Sequence, residues 1–191
     1  MGGEVNAEVN DQVDGEAGGE VSDRAGDRAG DGGRVTTRTL IVLRHAKAAH
    51  TPGLADRERP LTERGRRDAR RIGETLTGLD LRPDLVLCSP SIRTRQTAEL
   101  ALPGADITFE PAIYEAYPDE LLTLVRRSDP EVRTLILVGH NPGVHELVQD
   151  LTTREGDPGF PPGAFAVIET DAEWAELDAG RGVVRWSPKE H

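Results

Sequence analysis

Thr39-Leu40-Ile41-Val42-Leu43-Arg44-His45-Ala46 is the stretch from which the rest of the chain can be read. An unbroken apolar run, Leu40 to Leu43, meets an Arg–His pair, and there the hydrophobicity stops. A short run rich in Ile and Val reads as a strand buried on both faces, expected over Thr37 to Leu43. In open parallel sheets, ligands bind in the crevice beyond the carboxyl ends of the strands. An arginine and a histidine at that edge point to an anion site with a titratable base or nucleophile.

Two further runs repeat the pattern. Pro83-Asp84-Leu85-Val86-Leu87-Cys88 leads into Ser89-Pro90-Ser91-Ile92-Arg93, and Thr134-Leu135-Ile136-Leu137-Val138 leads into Gly139-His140-Asn141-Pro142. Serines and a proline are helix-start residues, so Arg93 falls in the first turn of a helix that begins at a strand end. Free backbone N–H groups, the positive end of a helix dipole and a fork-shaped cation together make a phosphate-binding arrangement. Pro142 opens a helix over Gly143 to Leu151 in the same way.

Between these strands, Ala46 to Pro60 reads as a polar loop broken by Pro52, Gly53 and Pro60. A helix follows, with Thr62 as N-cap and Glu63 suited to its positive end. Ala69, Ile72 and Leu76 form its apolar stripe, and its arginines a solvated face. Ile107 to Glu110 is a short strand, Tyr114 to Tyr117 a loop, and Pro118 to Arg127 a helix. Gly156 to Gly163 is a Gly/Pro loop. Gly163 to Glu169 and Gly182 to Trp186 are closing strands separated by a turn or short helix near Trp174. Strands alternating with helical patterns predict an α/β fold of βαβ units with a mostly parallel sheet.

The chain has 191 residues and a formal net charge of -11. Residues 1–33 carry nine acids against two arginines, with no aromatic residue and with the direct repeat Asp23-Arg24-Ala25-Gly26, Asp27-Arg28-Ala29-Gly30. Such a segment cannot bury enough apolar surface to offset its ordering entropy, so it reads as a disordered, solubilising tail, or else as an acidic arm for a basic partner. Residues 34–191 then form one domain. That domain is mildly acidic and offers no general basic surface for nucleic acid. No apolar run approaches the roughly 18 residues that cross a membrane, and the N-terminus has no secretory pattern. The single cysteine, Cys88, fits a reducing compartment and a core position, so the expected location is cytoplasmic. A monomer is the default expectation.

Arg44-His45-Ala46, Pro60-Leu61-Thr62-Glu63-Arg64-Gly65, Ser89-Pro90-Ser91-Ile92-Arg93-Thr94-Arg95-Gln96-Thr97-Ala98 and Gly139-His140-Asn141-Pro142 together resemble the histidine phosphatase superfamily. The size resembles its small SixA-like phosphohistidine phosphatase branch. Ala46 stands where many members have Gly. The resemblance covers Arg34 to Pro188 and implies a three-layer α/β/α sandwich of the phosphoglycerate-mutase-like kind. It also implies that His45 is the nucleophile that becomes phosphorylated.

The chemistry of the residues agrees. A nucleophilic imidazole must be neutral, and Arg44 and Arg93 beside His45 disfavour its protonation. The same cations, with His140 and Asn141, would bind the oxygens of the transferring phosphoryl group, and water would then hydrolyse the phosphohistidine intermediate. No metal or other cofactor is required by this scheme. The resemblance also implies a carboxylic acid that protonates the leaving oxygen. Glu115 is the candidate by position, against the plainer reading of a surface glutamate. Short connections imply an open pocket, which suits a phosphorylated protein side chain and also admits a small phosphate ester. A phosphate-binding module without turnover would lack one of the pocket residues, and none is missing. A metal hydrolase built on His45, His50, His140 and His145 finds no common ligand spacing.

Overall fold

The computed structural model describes residues 36–152 and 159–186. The tail assigned to residues 1–33 and part of the Gly/Pro loop at 156–163 lie outside the described residues.

The expected first strand forms as β1 (Arg38–Arg44) and sits inside a six-stranded sheet. The other strands are β2 (Leu85–Cys88), β3 (Ile107–Phe109), β4 (Thr134–Gly139), β5 (Phe165–Thr170) and β6 (Val183–Trp186). Their order is β3-β2-β4-β1-β5-β6. The pairs β3–β2, β2–β4 and β4–β1 are parallel, whereas β5 and β6 run antiparallel at one edge. The sheet is therefore mostly parallel, as the alternation of strands and helices predicts.

Leu40, Ile41, Val42 and Leu43 are all 0 % exposed, because β1 is covered on both faces. On one face Leu40 and Val42 join Leu135 and Leu137 against helices α3 (Pro118–Arg126) and α4 (Gly143–Leu151), with Trp174 filling the end of the layer. On the other, Ile41 and Leu43 join Ile136 and Val138 against α1 (Glu63–Gly78) and α2 (Ile92–Ala101). This is the three-layer α/β/α sandwich, and consecutive residues of each central strand serve opposite layers.

The α1–α2 contact is close enough to require glycine. A Cβ on Gly73 would come within 2.3 Å of the Ala101 carbonyl oxygen. The start of α1 is fixed in the expected way, with the Thr62 side chain accepting from the Gly65 N–H at 3.0 Å. Gly65 itself abuts the Lys47 carbonyl, which a Cβ would approach to 2.2 Å. Arg64, Arg67, Arg70 and Arg71 lie on the exposed face of α1, and Arg66 is half-buried. Cys88 is buried in the core, where desolvation pushes its thiol up to about 12. No helix among the described residues is long and apolar enough to cross a membrane.

The connection after β1 leads towards β2, and the connection after β4 leads back across β1 to β5. The chain thus diverges at the carboxyl ends of two adjacent parallel strands, which opens a crevice at that edge.

Candidate active site

Arg44 and Gly139 form the last rung of the β1–β4 ladder, and His45 and His140 are the next residues on the two strands. The His45 N–H donates to the Gly139 carbonyl at 3.1 Å, so the two histidines leave the sheet together. Their rings lie 5.2 Å apart, centroid to centroid, at 57°.

His45 Nδ1 lies 2.8 Å from the Ala46 carbonyl oxygen. A carbonyl only accepts, so Nδ1 carries the proton and Nε2 keeps its lone pair free. The Ala46 N–H donates to Thr97 Oγ1 at 3.0 Å, and that hydroxyl donates to the Arg93 carbonyl at 2.7 Å. Helix α2 therefore supports the loop that orients the His45 ring.

Arg93 is the second residue of α2, in its first turn as expected, and its side chain is only 7 % exposed. Its Nη2 lies 3.3 Å from His140 Nδ1, and His140 Nε2 lies 2.9 Å from Ser89 Oγ. A guanidinium can only donate, so Nδ1 accepts and Nε2–H faces the serine. Arg44 approaches from β1. Its Nη1 donates to the Phe160 carbonyl at 2.7 Å, and Asn141 Nδ2 donates to the same oxygen at 2.9 Å. Arg44 Nε and Asn141 Oδ1 are buried without a hydrogen-bond partner among the described residues.

Both histidines are held neutral. Burial is the main cause for His45, with Arg93 and Arg44 adding to it, and its pKa falls to about 4. Burial, then Arg93, lowers His140 to about 3. The unfolded chain binds protons on these rings below about pH 6.5, and the folded one does not until near pH 4. Folding stability should thus fall as pH drops through that window, by up to about 1.4 kcal/mol per pH unit for each ring. Urea unfolding at pH 7 and at pH 5 measures the loss, and an NMR titration of the His45 ring should show its midpoint near pH 4.

His45, Arg44, Arg93, His140 and Asn141 are brought to one crevice, as their positions after strands predict. Glu115 is not brought into hydrogen-bond contact with them. It is exposed, in the left-handed region at φ 57°, and makes no hydrogen bond or ion pair among the described residues. It acts on the pocket only as a charge near Tyr114. His50 is exposed, and His145 stacks on Phe160 at 5.7 Å and 8°, behind the carbonyl that receives Arg44.

The carboxylate that does reach the pocket is Asp56. The expected polar loop contains a single 3-10 turn, Asp56–Glu58, that folds over Arg93. Arg93 Nη1 donates to the Asp56 backbone carbonyl at 2.5 Å, and Nη2 donates to Asp56 Oδ2 at 2.8 Å. Tyr114 Oη donates to the same carboxylate oxygen at 2.7 Å, and its ring meets His140 edge-on at 5.3 Å. Arg59 Nη1 donates to Oδ1 at 2.9 Å, and the Arg57 guanidinium lies 4.1 Å over the Tyr114 ring. Tyr114, Arg59 and Arg93 hold the Asp56 carboxyl well below the usual carboxylate range. The sequence signal was slight: a charged tetrad, Asp56-Arg57-Glu58-Arg59, before Pro60.

A profile of the histidine phosphatase superfamily (branch 1) matches residues 40–131. An uncharacterised protein of Mycobacterium tuberculosis is 33% identical over 147 residues, which cover 72% of this chain and 93% of that one. The phosphohistidine phosphatase SixA of Escherichia coli is 28% identical over 158 residues, covering 77% of this chain and 91% of its own. Among solved structures, a SixA protein from Nakamurella multipartita, described as a putative phosphohistidine phosphatase, superposes with a TM-score of 0.74 at 29% identity, over 80% of this chain and 95% of that one.

Proposed function

Since the chain belongs to the histidine phosphatase superfamily and is a SixA-like phosphatase that works through histidine, we propose that His45 is that histidine and that its substrate is a phosphohistidine on a protein. The observation that carries the first part is the Nδ1 contact to Ala46 at 2.8 Å, which leaves a neutral Nε2 free at the crevice, near the Arg93 and Arg44 charges. Nε2 attacks phosphorus, and the bond to the leaving group breaks with its electron pair passing to that group. Arg44, Arg93 and the Asn141 region bind the equatorial oxygens as charge spreads over them, and His140 joins them when its Nε2–H turns from Ser89 Oγ to a phosphoryl oxygen. The unpartnered Arg44 Nε–H supplies one further donor for such an oxygen. Water then attacks the phosphohistidine on His45 and releases phosphate and free imidazole.

The second part is supported by the openness of the site. Among the described residues the loop 46–60 lies against Arg93, and the His45 side chain is partly exposed. A phosphoryl group on a protein surface can reach such a nucleophile. The SixA name of the Escherichia coli relative adds to the same reading, and Cys88, buried and reduced, suits a cytoplasmic enzyme. For an ester substrate, Glu115 is the candidate proton donor by position, whereas a phosphohistidine needs such an acid less, because its P–N bond is labile and the leaving imidazole can take its proton from solvent.

Turnover of a phosphohistidine-bearing protein, measured beside a panel of sugar and nucleotide phosphates, tests the proposal. The phosphohistidine protein should show the highest kcat/KM. Reaction with the small esters alone would overturn the protein substrate and leave a metabolite phosphatase.

A further inference from the structure

The Asp56 carboxylate has four lone-pair positions, and the fold uses three of them. Oδ2 accepts from Arg93 and Tyr114, and Oδ1 accepts from Arg59. The side chain is 47% exposed, so the remaining position on Oδ1 is open to solvent. Asp56 Oδ2 and His140 Nδ1 both meet Arg93 Nη2, at 2.8 and 3.3 Å, and the His140 ring in turn lies 5.2 Å from that of His45. A phosphoryl group held by Arg93 beside His45 would therefore lie near Asp56, and a leaving group departing towards solvent would pass that half-exposed carboxylate. The carboxylate is ionised across the neutral range, so it cannot serve as a proton donor there.

We propose that Asp56 is a specificity residue that selects leaving groups carrying a positive charge or an N–H, and hence phosphorylated imidazole over phosphate esters. This rests on the protein-phosphohistidine reading and deepens it. In a phosphohistidine the ring nitrogen that is not bonded to phosphorus can carry a proton. An ionised carboxylate beside that N–H stabilises the protonated ring. When His45 Nε2 attacks, the P–N electron pair returns to the leaving nitrogen, and the ring departs as neutral imidazole with its proton already in place. No separate acid is consumed. An ester leaves as an anion instead, and a fixed negative charge at the exit opposes it. Asp56 thus acts differently on the two transition states.

The experiment is Asp56→Asn, assayed with a phosphohistidine peptide and with p-nitrophenyl phosphate, whose leaving group is an anion. The readout is the ratio of the two kcat/KM values, because any disturbance of Arg93 enters both. A hydrogen bond to a charged group is at stake, so the ratio should fall about tenfold or more. Equal losses on both substrates, or an unchanged ratio, would overturn the inference and leave Asp56 as a positioning residue for Arg93. A wild-type enzyme that cleaves p-nitrophenyl phosphate but not the peptide would instead overturn the phosphohistidine reading itself.

Discussion

His45→Ala should abolish turnover of every phosphate substrate, lowering kcat by at least about 10⁴-fold, the scale on which a covalent nucleophile's loss is felt. The remaining pocket would still hold a phosphoryl group with Arg44 and Arg93, but no side chain would stand in line to receive it. His140 cannot substitute, because both its ring nitrogens are engaged, with Arg93 at 3.3 Å and Ser89 at 2.9 Å. Steady-state assay with p-nitrophenyl phosphate gives the loss, and brief exposure to labelled substrate gives the cause. The wild-type chain should carry an acid-labile phosphoryl group, and the variant none. The substitution also removes a half-buried ring that resists protonation, so thermal stability at mild acid should hold or rise. Activity above about one part in a hundred, or label retained in the variant, would sink the assignment.

Arg93→Ala should be the second largest effect, about 10³-fold in kcat/KM, comparable with the removal of an arginine that stabilises a phosphoryl transition state. Arg93 ties Asp56, through Nη1 and Nη2, to the His140 ring and lowers the pKa of that ring. Its loss should therefore raise the His140 pKa from about 3, which a ring-proton NMR titration would read directly. Arg93→Lys should keep part of the charge and lose the fork, falling between wild type and Ala. A variant with wild-type KM and kcat would exclude Arg93 from the phosphoryl pocket.

Much of this architecture was legible because β1 and β4 are enclosed and β2 nearly so, and their apolar runs carry no helical or alternating period. His45, Arg93 and His140 were legible for a related reason. Each comes directly after such a run or one helical turn beyond it, and that position in a parallel sheet is the mouth of the crevice. Asp56 was not, because the bonds that set the course of the loop 46–60 leave no period in the sequence: Arg59 Nε donates to the Ala49 carbonyl at 2.9 Å across the loop, and Arg93 reaches Asp56 from α2. The Phe160 carbonyl that orients both Arg44 and Asn141 is a backbone atom, and no side-chain pattern announces it. The antiparallel course of β5 and β6 was likewise hidden, since strand direction follows from the connection and not from composition. Glu115, a plausible residue type at a plausible spacing, is exposed and has a left-handed backbone, a placement that its sequence position does not announce.

The last rung of the ladder, Arg44 against Gly139, joins residues about 95 positions apart in the chain. Parallel pairing over that span closes a long loop before it gains any compensating contact, and such closures are slow. His45 and His140 are therefore expected to meet late in folding. A nascent or partly refolded chain would hold most of its secondary structure and still be inert towards phosphate. Recovery of activity after denaturation should track the closing of the central sheet, making the enzyme its own reporter of when that closure is complete.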